Sequence, residues 1–503
     1  MAKGIEILDG NKPFDLLVVG GGINGTAVAR DAAGRGLSVL LCEKDDLASH
    51  TSSASTKLIH GGLRYLEHYD FRLVRESLKE REVLLRAAPH IIWPMRFVLP
   101  YDKGLRPKWM LRAGLFMYDN MGGRKLLPAT RTRNLAKNKL YDHLQDRLKT
   151  GYEYSDCWVE DARLVVLNAL DAHEHGATVL TETEVLSVSG EAGLYTAILK
   201  SNDQTKTIKA RGIVNAAGPW VEAMLNSVQG RVLKNESSLR LVKGSHIVVP
   251  KLYEGDHSYI FQNADDRIVF AIPYEQDYTL IGTTDVPHEN VEQTPEASED
   301  EIKYLCYAIN EYFKVLTKPS DVVWTYSGVR PLYDDKAEDA SEVTRDYVLN
   351  IDEPEKGAPI LSVYGGKITT SRKLADHVME KLADYYPMQG KAWTRKASLP
   401  GGDIPRADFE TFFKTQKDIY ASINQEQIYL MARRYGTRLS LVLENGLGQM
   451  FGGGLSEADA RYLIEYEWAT SADDILWRRT KCGLRMTAQQ QSDFRNWFEA
   501  LDI

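Results

Sequence analysis

The chain has 503 residues, 43% of them hydrophobic, so it exceeds one ordinary core and has apolar material for two or three domains. A net charge of −8 argues against a nucleic-acid partner, and any anionic ligand needs a local basic pocket set against the overall sign. Cys42, Cys157, Cys306 and Cys482 have neither CxxC nor zinc-like spacing, which fits free buried thiols in a reducing compartment, with no metal site and no disulfide framework.

Residues 1–15 (MAKGIEILDGNKPFD) lack the charged, apolar, small-residue order of a signal peptide. No uncharged apolar run reaches the about 18 residues a spanning helix needs. The expectation is a soluble protein, or one held at a membrane surface. The first strong pattern runs from Phe14 to Glu43. An apolar strand, Leu16 to Val19, leads into Gly20-x-Gly22-x-x-Gly25. A helix follows with Ala29 and Ala33 on one face, Gly36 ends it, and a second strand, Leu37 to Leu41, delivers Glu43. This strand–turn–helix–strand unit of about 30 residues is the setting a dinucleotide fingerprint requires. Gly20 permits the tight turn, Gly22 lets the backbone approach a pyrophosphate, and Gly25 lets helix and strand pack closely. The helix N-terminus offers unpaired N–H groups to the phosphates. Glu43 suits a ribose 2′-OH and disfavours NADP; FAD and NAD both stay open on the fingerprint alone.

Asp45 to Leu66 crowds the hydroxyls of Ser49, Thr51, Ser52, Ser53, Ser55 and Thr56 ahead of Lys57, His60, Gly61, Gly62, Arg64 and Tyr65. A polar loop capping a helix accounts for the hydroxyls. It does not account for a titratable base, a permissive backbone and two anion-binding groups within six residues, which read as a site.

The run TSSASTKLIHGGLRYLEHYDFRLVRESLKER (51–81) closely resembles the FAD-dependent glycerol-3-phosphate dehydrogenases of the bacterial aerobic, membrane-associated type. The resemblance implies FAD. The expected contacts from this half of the chain are Gly20, Gly22, Ile23, Asn24, Gly25, Glu43, Lys44, Ser52, Ser53, Lys57, His60, Gly61 and Gly62.

Tyr69 to Ala88 reads as an amphipathic helix with a solvated charged face, and Ile91 to Pro100 as a strand. Lys103 to Lys125 mixes Trp109, Met110, Phe116 and Met117 with Arg106, Lys108, Arg112 and Arg124. It is either a core helix with basic flanks or a helix lying in a membrane interface. The family resemblance inclines the reading towards the membrane. Gly151 to Leu170 is expected to pass from polar sequence into a long apolar helix. Thr178 to Val188 is strand-like, and by resemblance Val185 meets adenine. Tyr195 to Ala210 suggests a hairpin.

Arg211 to Val221 (RGIVNAAGPWV) is a short strand and a small-residue turn, with Pro219 tolerated in a helix's first turn. Two-dinucleotide flavoproteins carry a similar turn, which adds Ala217, Gly218 and Trp220 to the expected FAD contacts. Leu239 to Thr284 alternates as an antiparallel sheet with turns at Asp265–Asp266 and Gln276–Asp277. Glu296 to Phe313 is helical, with acids in its first turns. In WTYSGVRPL (324–332), Arg330 is expected at a strand end. A guanidinium there grips phosphate bidentately; by resemblance it is the substrate-binding Arg, with Arg345 a weaker candidate.

ILSVYGGKITTSRKL (360–374) runs strand, Gly365-Gly366, helix. In the family this helix points its positive end at the flavin, which implicates Gly366, Lys367, Ile368 and Thr369 as cofactor contacts and sets Lys367 beside the substrate. Ser371 stands where many related flavoproteins have Tyr. Residues 404–503 look wholly helical and carry no evident chemistry; dimer contact, membrane approach and stability are the roles open to them.

The fold expected is α/β: a two-dinucleotide-type, Rossmann-like FAD domain (13–95, 158–225 and 345–390), an antiparallel β substrate domain (96–157 and 226–344) and a helical C-terminal domain (391–503). By resemblance the reaction is oxidation of sn-glycerol 3-phosphate to dihydroxyacetone phosphate, with a quinone as final acceptor, on the inner face of the cell membrane. Arg330, Arg64 and Tyr65 hold phosphate; His60 is the first candidate base and Lys367 its rival. The alternatives are an amine or amino-acid oxidase of the same fold and a non-catalytic FAD-bound sensor or scaffold.

Overall fold

A computed structural model describes residues 4–66, 69–102, 106–123, 126–191, 193–229, 239–263, 265, 267–333, 346–355, 358–387 and 390–501. Its first layer is a six-stranded sheet in the order Val348–Glu355, Ala358–Tyr364, Ile213–Asn215, Leu16–Val19, Val39–Cys42, Thr178–Leu180. The last five strands are parallel, and Val348–Glu355 closes the edge as an antiparallel hairpin partner. Leu17 lies between Ile213 and Leu40. These strands are apolar throughout because both faces are covered. Helices Ile23–Gly34, Asp161–Glu174 and Ser371–Lys381 pack on one face, where Ala29 and Ala33 are buried as expected. A four-stranded sheet built on the Leu194–Ser201/Gln204–Ala210 hairpin covers the other.

The second layer has ten strands, antiparallel except where Ser258–Gln262 runs beside Ile92–Tyr101. Helix Glu299–Asn310 packs on one face against Tyr259 and Phe261. Ser298 and Glu301 form a capping box at its start. Val74 and Leu78 of helix Phe71–Ala87, with Leu115 and Tyr118 of helix Lys108–Met121, pack on the opposite face.

Four expectations change. The charges of helix Phe71–Ala87 are not all solvated: Glu80 and Arg81 are buried, paired with Arg372 and Asp156. Gly151 to Leu170 does not run straight into a helix: Thr150–Val159 is a strand paired along its whole length with Ile92–Tyr101, and the helix starts at Asp161. Its side chains are buried on both faces, so no alternation marked it. Arg330 is not at a strand end but inside Trp324–Tyr333, opposite Val242. Among the described strands this one pairs only with Leu239–Pro250, and an edge position accommodates Pro331. Residues 404–503 are not wholly helical. Helices such as Gln425–Tyr435 and Glu457–Tyr466 surround a separate core that includes Ile428, Leu463 and Phe494. Between them a hairpin, Met450–Gly452 with Leu455–Ser456, turns through Gly452, Gly453 and Gly454, all at positive φ. Three such residues in succession cannot continue a right-handed helix.

All four cysteines are free and buried, as their spacing implied. No helix among the described residues is long and apolar enough to cross a membrane.

Candidate active site

The fingerprint loop is held open by contacts a larger residue would destroy. Gly20 has φ +108°, and a Cβ on Gly25 would lie 1.9 Å from the Gly20 carbonyl oxygen. The first N–H of the following helix, on Ile23, donates to Ser52 Oγ at 3.0 Å. Glu43 is buried at the end of its strand and accepts the N–H groups of Gly21 (2.6 Å) and Asp45 (3.0 Å). Burial raises its pKa, and those two N–H groups oppose the shift. Lys44 Nζ lies 3.9 Å from the ring centroid of Trp220, and the His50 ring packs on the same indole at 4.6 Å. These groups line a cavity of about 350 Å³ together with Gly22, Asn24, Val185, Ala217, Gly218 and Gly366. Backbone N–H groups at a helix start, glycines that keep Cβ atoms out, a strand-end carboxylate and a flanking indole suit an extended dinucleotide.

A second cavity, about 320 Å³, shares Ile23, Thr51, Ser52, Pro331, Gly365 and Gly366 with the first. His60, Gly62, Tyr65, Arg330, Lys367, Ile368 and Thr369 line it. Lys367 Nζ sits 3.6 Å over the Tyr65 ring. Arg330 is ion-paired with Asp285 and donates to Thr283 Oγ1 at 3.2 Å. Burial, then the positive charges of Lys367 and Arg81, pull the His60 pKa down to about 3, so its imidazole is uncharged near neutral pH. The His60 N–H donates to Thr369 Oγ1 at 3.3 Å, and the Gly61 N–H to Tyr118 Oη at 2.8 Å.

Four residues expected at the cofactor stand behind these walls, among them Gly25, which packs on the Gly20 carbonyl. Lys57 is fully buried, with Nζ on Asp161 (2.7 Å) and the Ser53 carbonyl (3.0 Å). Ser53 Oγ donates to the His50 carbonyl at 3.2 Å. Gly61 fits against Leu78 and Tyr118, where a Cβ would lie 2.5 Å from Leu78 Cδ2. The Arg64 side chain and all of Arg345 lie outside the described residues.

Sequence reasoning missed His246, Thr283 and Asp285, which line the second cavity. The His246 ring stacks on Tyr326 at 4.7 Å, its Nε2 is 3.0 Å from Thr56 Oγ1, and burial holds it neutral. A signal was present: Gly244 and Gly328 interrupt strands and Gly282 ends one. A Cβ on Gly244 would lie 2.5 Å from Arg330 Nη2, on Gly282 2.0 Å from His246, and on Gly328 2.7 Å from Ala54. A strand glycine that leaves room for a neighbour marks a close approach.

A dinucleotide cradle that opens onto a basic chamber roofed by an antiparallel sheet defines a flavin-dependent oxidoreductase architecture. Residues 15–372 match the FAD dependent oxidoreductase family, and residues 392–493 match the C-terminal domain of alpha-glycerophosphate oxidase. The chain is 52% identical to D-erythritol 1-phosphate dehydrogenase of Brucella abortus, over 97% of this chain and 98% of that one. It is 49% identical to the aerobic glycerol-3-phosphate dehydrogenase of Escherichia coli, over 96% and 97%. Its fold matches the glycerol-3-phosphate dehydrogenase from Bacillus halodurans complexed with FAD, with a TM-score of 0.73 and 26% identity, over 97% and 94% of the chains. The chain belongs to the FAD-dependent glycerol-3-phosphate dehydrogenase family, as the motif at 51–81 led one to expect, and FAD is its cofactor.

Proposed function

We propose that this flavoprotein oxidises sn-glycerol 3-phosphate to dihydroxyacetone phosphate and passes the electrons to a membrane quinone. The observation that carries the reading is the second cavity, which adjoins the cofactor cradle and is lined by a neutral imidazole and two cations. Bound FAD supplies a two-electron acceptor for the C2 hydride. The protein then has to place the substrate and receive one hydroxyl proton. Arg330, aided by Arg64 and Tyr65, holds the phosphate; Asp285 keeps the guanidinium oriented until a phosphate shares it. His60 accepts the C2 hydroxyl proton, because it is unprotonated at working pH and lies in the same chamber as Arg330. Lys367 lies over Tyr65 and adds positive charge beside both the substrate and the flavin.

An anaerobic absorbance titration tests this. Loss of the flavin band on adding glycerol 3-phosphate supports the reading, and a yellow protein that stays yellow rejects it. The second reading is a longer polyol phosphate, favoured by the 52% identity to an erythritol 1-phosphate dehydrogenase. The two esters titrated side by side separate them, the better substrate having the higher kcat/KM. An amine oxidase remains related in fold alone: glycine oxidase from Geobacillus kaustophilus aligns with a TM-score of 0.52 at 18% identity.

The quinone and membrane parts rest on helix Lys108–Met121. Trp109 and Phe116 are 69% and 65% exposed. An apolar cavity of about 280 Å³ lies beneath this helix and shares Leu63, Ile260 and Ile268 with the substrate chamber. We read that helix as lying on the inner face of the cell membrane and the apolar cavity as the approach for a hydrophobic acceptor.

A further inference from the structure

Residues 391–503 lie outside both cavities, yet their most deeply buried cation reaches into the support of the cofactor cradle. We propose that Arg479 is a positioning residue for FAD: through Asp46, the C-terminal domain fixes the loop 44–53 in the shape that closes the cradle. The inference rests on reading the first cavity as the FAD site.

The Arg479 side chain is fully buried. Its Nη1 and Nη2 each donate to one oxygen of Asp46 at 2.7 Å, and Arg478 Nε donates to the same carboxylate at 2.7 Å. The Arg479 guanidinium also donates to the Glu467 carbonyl, from Nη2 at 2.8 Å and Nε at 3.3 Å. Glu467 in turn is paired with Arg163 of helix Asp161–Glu174, with Nη2 to Oε1 at 2.9 Å. Every arm of a planar fork is thus engaged, a geometry an ammonium cannot reproduce. Arg479 ends a single π-helical stretch, Asp474–Arg479, and Lys481 just beyond it takes the left-handed conformation at φ 60°. Both are less stable than ordinary helix, so the backbone here is held for what it places.

What it places is the outer wall of the cradle. Asp46 lies three residues past Glu43. Next to it, Leu47 packs beneath Gly21, where a Cβ would meet Leu47 Cδ2 at 2.9 Å, and the Ala48 N–H donates to the Gly21 carbonyl at 3.3 Å. Near its far end is Ser52, whose hydroxyl accepts the Ile23 N–H. A second tie runs parallel: Thr470 Oγ1 donates to Glu182 Oε1 at 3.0 Å, and the Glu182 N–H donates to the Asp45 carbonyl at 2.9 Å. Releasing Asp46 frees the segment that carries the ribose-facing wall and the hydroxyl beside the pyrophosphate turn. A buried ion pair kept for stability alone would have no reason to connect to these groups in particular.

The test compares Arg479→Lys and Asp46→Asn with Phe494→Leu, which loosens the C-terminal core that includes Phe494. FAD affinity is read by reconstitution of apoprotein, followed by flavin fluorescence and by circular dichroism in the flavin bands. Both loop-contact variants are expected to raise the FAD Kd at least tenfold and to alter the flavin dichroism. Phe494→Leu should lower Tm but leave Kd within twofold. A Kd within twofold of wild type in the contact variants, or an equal rise in Phe494→Leu, overturns the proposal. If Arg479→Lys fails to fold, Asp46→Asn reads the same contact from the other side. Gly25→Ala separates the two readings: an unchanged FAD Kd there rejects the cradle itself rather than Arg479.

Discussion

At the scale of single residues, the proposed chemistry turns on His60 being uncharged before substrate arrives. A histidine in water titrates near 6.5. Here burial and two neighbouring cations move that transition down to about 3. The pH dependence of kcat/KM should therefore show no acid limb near 6.5 that His60→Asn removes. The same variant should slow flavin reduction in stopped-flow by on the order of a hundredfold while moving substrate affinity by less than about threefold. Unchanged reduction would take His60 out of the base role and pass it to Lys367. The sequence singled out His60 from its neighbours Gly61, Gly62, Arg64 and Tyr65. It was silent on His246, because a histidine within an alternating strand looks like any core residue until the fold sets it against Thr56 and Tyr326.

At the scale of elements, the substrate chamber exists because strand interiors were kept bare. The Leu239–Pro250 strand carries Gly244, over which the Arg330 guanidinium reaches. Gly244→Ala should fold, since the atom it meets is the far end of a flexible side chain, and it should displace Arg330 from Thr283 and Asp285. The expected result is a KM for the phosphorylated substrate about tenfold higher with FAD content unchanged. A wild-type KM would mean Arg330 relaxes without leaving its place. The parallel strands and the fingerprint helix were legible because their apolar runs are short and bounded by glycine. The strand Thr150–Val159 was not, because burial on both faces erased its period. The hairpin at Met450–Ser456 was hidden for a different reason. Gly-rich segments link helices as readily as they turn strands, and only the pairing decides.

At the scale of the whole molecule, two junctions carry testable consequences. His90 is fully buried where the FAD-binding layer meets the C-terminal domain: a Cβ on Gly436 would lie 3.0 Å from its ring. Burial, with Arg163 and Arg433 nearby, lowers its pKa to about 3. The unfolded chain then binds the extra proton between about pH 6.5 and 3, so stability is intact above that window and falls as pH drops through it. The slope from this one group approaches about 1.4 kcal/mol per pH unit. His90→Gln should flatten the fall in Tm between pH 7 and pH 5, and parallel curves for the two proteins would dismiss this role. The second is the proposed contact of helix Lys108–Met121 with lipid. Trp109→Ser with Phe116→Ser should abolish co-flotation with anionic vesicles while activity with a soluble dye acceptor stays within about twofold. Undiminished flotation would place the lipid contact elsewhere.

The sequence by itself determined the fingerprint turn of the cofactor cradle and, through the resemblance at 51–81, the reaction family. The fingerprint turn is legible because glycine spacing and a strand–turn–helix period act within about 30 residues of one another. Tertiary structure alone decided the chamber and its supports. Arg330 meets Thr283 and Asp285, His246 meets Thr56, and Arg479 meets Asp46 across 433 residues of chain. Such contacts leave no periodic trace, because each side chain obeys its own strand or turn. Only the folding of three layers onto one another brings their charges together.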